Sequence, residues 1–178
     1  DADGGEAYTN RIVTAFLLIV GGVTVLLTLA APLVTWVYSD NQWRQPELAA
    51  YYQGMVLLTF LCLPEVFFYG VFYLLGQVLN ARDKFGPMMW APIANNVVQI
   101  VVLGIYLATW GRTSGADPFT GPQLWLLGGG HLLGIVIQTG VMVWALRSIR
   151  YRYRPRFDLK GTGLGRTFHL AKWILGFV

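Results

Sequence analysis

Charge is what this sequence has least of: 12% of its 178 residues are Asp, Glu, Lys or Arg, against roughly 25% in an ordinary soluble domain. That disfavours a water-soluble fold. Cysteine is almost missing, Cys62 being the only one, which excludes a disulfide scaffold. Signatures of catalysis are missing as well, since the chain has no nucleophile elbow, zinc motif, paired catalytic carboxylates or nucleotide loop. The triplet Gly128, Gly129, Gly130 has neither the spacing nor the Lys of a phosphate loop. No catalytic residue, cofactor or metal is therefore expected, and no nucleic-acid partner. Disorder is excluded by the 15% aromatic content and the heavy aliphatic load.

What is present is apolar length, with 55% of the residues hydrophobic. A spanning helix takes about 20 apolar residues, or roughly 30 with its loop, so the chain has room for about five or six passes at most. Residues 12–39 carry no charge and read as the first helix. The second, 48–80, is interrupted only by Glu65 and is expected to bend at Pro64, which lacks an amide donor. The third covers about 88–110, with Pro87 and Pro92 near its start, and the fourth about 123–146. A basic loop, 147–163, follows, and an incomplete apolar run begins at about 164. A membrane barrel would need alternating segments of about 10 residues, which these runs are not. The expected class is an all-α integral membrane protein with four transmembrane helices plus the start of a fifth. The chain opens on Asp1 without Met and closes inside the run Trp173 to Val178, so it reads as a piece of a larger protein.

Orientation follows from where Lys and Arg fall, because positive loops stay cytoplasmic. One side collects ten, Arg11, Arg82, Lys84, Arg147, Arg150, Arg152, Arg154, Arg156, Lys160 and Arg166, while the other has two, Arg44 and Arg112. The first helix then enters from the cytoplasm and the basic loop stays inside. Trp36, Trp43, Trp90, Trp110 and Trp125 lie near the ends of the runs, where indoles suit the headgroup zone.

Polar residues inside the runs are the candidates for function. A carboxylate near the bilayer midplane costs about 2.5–3.5 kcal/mol on insertion scales, so Glu65 should face a cavity or a partner rather than lipid. Helical spacing places Cys62, Glu65, Tyr69, Tyr73, Gly76 and Asn80 on one arc. Either this stripe walls a water-filled or headgroup-binding cavity, or Glu65 is protonated or bonded to a neighbouring helix and the tyrosines pack. Asn95, Asn96 and Gln99 cluster within a turn, as interhelical glue or as substrate contacts. His131 and Gln138 share a face of the fourth helix, and a lone intramembrane His suits a proton relay, but that segment offers it no acidic or second His partner. Small residues, Thr14, Gly21, Thr24, Thr28, Pro32 and Thr35 on the first helix and Gly128, Gly129, Gly130 and Gly134 on the fourth, read as close-packing surfaces. Arg147, Arg150, Arg152 and Arg154 either mark topology or also attract anionic lipid.

The stretch Leu74 to Asn96 carries Gly76, Leu79, Asn80, Ala81, Arg82, Phe85, Ala91, Pro92 and Asn95, and Pro64 to Gly70 reads Pro-Glu-Val-Phe-Phe-Tyr-Gly. This resembles a signature of the MurJ/MviN family of lipid II flippases: a helix ending in Gly-x-x-Leu-Asn-Ala-Arg, a short cytoplasmic turn with Phe, then a helix opening with Ala-Pro and an Asn. The resemblance implies that the four helices are the family's third to sixth, part of the N-terminal lobe of a larger two-lobe transporter. It implies alternating access in a bacterial inner membrane, with membrane lipids, the lipid-linked peptidoglycan precursor and cell-wall synthesis proteins as partners. The family's best-known substrate-contacting charges lie on helices this chain lacks, so none transfers. Substrate-pathway or hinge candidates are Glu65, Tyr69, Asn80, Arg82 and Asn95, with Leu79 to Pro92 as a cytoplasmic hinge or clasp between two helices, motivated by Gly86 and two prolines bracketing a charged tetrad. An exporter of another polyprenyl-linked saccharide or a drug, or a scaffold recruiting partners through its basic tail, are the alternatives.

Overall fold

The computed structural model describes residues 5–112 and 117–158. Among these the fold is all-α, without a strand: α1 Glu6–Leu29, α2 Ala31–Tyr38, α3 Ala49–Cys62, α4 Glu65–Asn80, α5 Gly86–Trp110 and α6 Gly121–Ser148, with short 3-10 turns at Asn41–Arg44 and Pro46–Leu48. Four stretches are long and apolar enough to cross a membrane: Glu6–Leu29, Pro46–Asn80, Gly86–Trp110 and Gly121–Ser148. Helix is what such runs must form, because hydrocarbon offers no partner for a free backbone amide or carbonyl. The expected fifth run from about 164, with His169, and the end of the basic loop fall outside the described residues.

Prolines shape the boundaries unequally. The first run, expected as one helix over 12–39, begins at Glu6 and divides at Ala30, with Pro32 in the opening turn of α2 where its missing amide costs nothing. The second divides at Leu63 and Pro64 into α3 and α4. Pro92, by contrast, lies inside α5 without ending it. Neighbouring helices make such a proline tolerable in a membrane.

The described residues fall into two units. In the first, formed by residues 5–19 and 152–158, an extended segment is tied to the start of α1. Thr14 Oγ1 is its anchor, meeting the Tyr153 hydroxyl at 2.9 Å and accepting the Arg156 amide at 3.0 Å. The Arg154 amide donates to Asn10 Oδ1 at 3.4 Å, and Arg11 pairs with Asp158 at 3.1 Å.

In the second unit, residues 20–151, α6 is the central element, packing on α3, α4 and α5. Its spanning window is 39% buried, against 17% for α5. Large apolar side chains cover much of the outside, with Leu29 73%, Met89 81% and Ile100 71% exposed. Water would not tolerate so extensive an apolar surface on a monomer, whereas lipid accepts it.

Candidate functional site

Glu65 opens α4, where the chain restarts after Pro64, and is only 6% exposed. Against it lie His131 of α6 and the thiol of Cys62 at the end of α3. Glu65 Oε2 lies 3.7 Å from His131 Nε2, while Oε1 is buried and meets no hydrogen-bond donor among the described residues. The imidazole is the open partner, its side chain 47% exposed against 8% for the carboxylate. His131 has no acidic partner within its own helix, and the one it has stands on α4. Elimination points to it, because Glu65 is the only acidic residue and His131 the only imidazole within the runs 12–39, 48–80, 88–110 and 123–146. Ionisable groups in a membrane tend to find each other.

The polar stripe of the second run does not share one environment. Cys62 ends α3, on the far side of the Pro64 break. Tyr69 and Tyr73, one and two turns beyond Glu65, are 38% and 58% exposed, so the described residues do not bury them as packing side chains. Gly76 is buried against Met88 of α5: a Cβ there would fall 2.6 Å from the Met88 sulfur. Asn80 reaches the same sulfur from its Nδ2 at 3.9 Å, and its buried Oδ1 has no partner among the described residues.

Beyond Asn80 the chain reverses through a left-handed residue that is not glycine. Asp83 has φ +57°, the Lys84 amide donates to Leu79 O at 3.0 Å and the Asp83 amide to Asn80 O at 3.0 Å. This pair of bonds is a Schellman cap, which satisfies carbonyls that a helix end leaves free. The end of α6 repeats it: Arg150 has φ +60°, the Tyr151 amide donates to Leu146 O at 3.2 Å and the Arg150 amide to Arg147 O at 3.0 Å. Arg82 joins the two caps. Its Nη1 donates to Val78 O at 3.0 Å, and its guanidinium lies 4.7 Å over the ring of Tyr151, itself 7% exposed. The turn after α4 thus contacts the end of α6 through Arg82 and Tyr151 and α5 through Met88, and Gly86 opens α5.

Asn95 and Gln99 lie in the α5–α6 seam. Gln99 Nε2 donates to Asn95 Oδ1 at 3.1 Å and to Gly130 O at 3.5 Å. Of these two bonds the second crosses from α5 to α6, and Asn96 is exposed. The glycines opposite make the approach possible. A Cβ on Gly130 would lie 2.5 Å from Val102, one on Gly134 would overlap the Asn95 and Gln99 amides, and one on Gly128 would lie 2.8 Å from Leu61. Thr139 completes the α4–α6 seam by donating to Phe68 O at 3.1 Å.

Of the basic candidates, Arg147 and Arg150 are exposed at the end of α6, and Arg152 and Arg154 are exposed on the extended segment. No cluster of three or more His, Cys, Asp or Glu that could hold a metal occurs among the described residues. An apolar groove of about 390 Å³ runs between α5 and α6, bordered by Val97, Val101, Trp125 and Leu133. A family model described as lipid II flippase MurJ matches residues 1–178. No solved structure matches.

Proposed function

We propose, since the chain belongs to the lipid II flippase MurJ family, that it supplies four spanning helices of one lobe of a flippase carrying the lipid-linked peptidoglycan precursor outward across a bacterial inner membrane by alternating access. The observation that carries this reading is the extent of the family match, residues 1–178, which takes in all four spanning stretches. In this role α6 is the scaffold and the breaks at Ala30 and at Leu63 and Pro64 are the places where a span can bend. Asn80 and Arg82 act as the clasp holding the ends of α4, α5 and α6 together while the lobe moves. Glu65 and Tyr69 border the substrate pathway and Asn95 braces it. Arg147, Arg150, Arg152 and Arg154 attract anionic headgroups of the cytoplasmic leaflet, each contributing about 1 kcal/mol near the surface.

The test is depletion of the full-length protein in cells that depend on it. Wall synthesis should stop while the lipid-linked precursor accumulates on the cytoplasmic leaflet, and a variant carrying Arg82→Ala should restore export only in part. If the precursor still reaches the outer leaflet while cell-wall proteins lose their places, the chain is a scaffold. Full restoration by Arg82→Ala at normal expression would remove the clasp from the mechanism.

A further inference from the structure

We propose that Glu65 and His131 together form a proton-binding site inside the membrane-spanning bundle, with the half-exposed imidazole as the group through which protons reach the enclosed carboxyl. Three observations on the pair carry this. The Glu65 side chain is only 8% exposed, and its Oε1 has no hydrogen-bond partner among the described residues. Oε2 and Nε2 stand 3.7 Å apart, beyond the usual 2.7–3.2 Å of an N–H···O bond. The imidazole keeps nearly half its surface open where the carboxyl has almost none.

The chemistry follows from charge. A carboxylate alone in hydrocarbon is costly, so the pair is best kept neutral. One proton achieves this whether it sits on Glu65 Oε or on His131 Nε2, and it moves between them by breaking an O–H bond as an N–H bond forms. A second proton makes the pair cationic, and loss of the first makes it anionic. Either change places a net charge in the seam between α4 and α6, the two helices that bear the groups. Proton occupancy is thereby tied to how those helices pack.

Other ionisable groups do not duplicate this role. On α4 itself Tyr69 and Tyr73 follow Glu65, and α3 contributes Cys62, whose thiol lies against the Glu65 carboxyl. Phenols and thiols ordinarily titrate above neutral pH. The only titratable side chain on α5 is Tyr106, which receives a bond from Gln123 near the other end of the seam, and α6 otherwise has only Arg147 in its last turn. Residues 20–29 of α1, which approach α4 where Gly21 meets Phe67, have none.

The experiment is an infrared pH titration of the full-length protein in lipid nanodiscs, following the C=O stretch of a protonated carboxyl. Wild type should show such a band, and Glu65→Gln should lose it. His131→Gln, a change at a half-exposed position, should keep the band but move its midpoint by about one pH unit or more, the size expected for an ionisable neighbour within 4–6 Å. A band unchanged in Glu65→Gln overturns the proposal. So does a midpoint in His131→Gln equal to that of wild type, and this second variant decides the matter even if the first does not fold. The readout is spectroscopic, so it stands or falls separately from what the protein transports.

Discussion

Asp83 and Arg150 hold positions that usually go to glycine, because an L-residue in the left-handed region brings its Cβ against the following carbonyl at a cost of roughly 1–2 kcal/mol. Asp is among the residues that tolerate it best. The two reversals are therefore stable but not optimal. Replacing Asp83 by Gly or by Ala removes the same carboxylate, so the difference between the variants isolates the backbone term. Asp83→Gly should exceed Asp83→Ala in stability by about 1 kcal/mol, read from the order of their thermal unfolding midpoints in detergent. Equal midpoints would mean that the left-handed turn opens in the native protein. This feature is hard to read in the sequence, where Gly86 and the prolines are the conspicuous residues of the turn and Asp83 is not. A Schellman cap without glycine leaves no compositional mark. The partner of Glu65 was hidden for a different reason: spacing along one helix says nothing of a neighbour sixty-odd positions away in the chain, from 65 to 131.

At the scale of elements, uncharged length was enough to place four spans, because hydrocarbon thickness sets a minimum run and charge marks the ends. The partners of each span were less legible. In water an apolar stripe points at the core, but between lipid-facing helices every side is apolar and the stripe loses its meaning. Small residues carried what signal there was. Gly128, Gly130 and Gly134 lie against Leu61, Val102 and the Asn95–Gln99 pair, whereas Gly104 of α5 has open space around it. Gly134→Ala should therefore push α5 from α6 and destabilise the protein by about 1–3 kcal/mol, the range for overpacking a filled site. Gly104→Ala should be neutral or slightly stabilising, because alanine is the better helix former. Unfolding in mixed micelles compares the two. Equal effects would mean that the seam accommodates a methyl and that close approach is not what the glycines provide.

For the whole molecule the strongest regularity is the uneven distribution of positive charge, ten Lys and Arg on one side of the four spans and two on the other. Translocating a short loop rich in Lys or Arg is disfavoured, so the turn after α4 and the segment after α6 should remain in the cytoplasm and the loop before α6 should be outside. The near-absence of cysteine makes this measurable. In a background where Cys62 and any cysteine elsewhere in the full-length protein are replaced, single cysteines at Lys84, Arg152 and Asp117, all exposed, report their side by reaction with a membrane-impermeant maleimide. Asp117→Cys should label in intact cells, and Lys84→Cys and Arg152→Cys only after permeabilisation. The reverse pattern would place Arg82, Tyr151 and the arginines that follow on the outer face. The arginines would then lie away from the anionic inner leaflet proposed to attract them, and the clasp at the ends of α4 and α6 would close the outer end of the lobe instead of the end where the precursor enters.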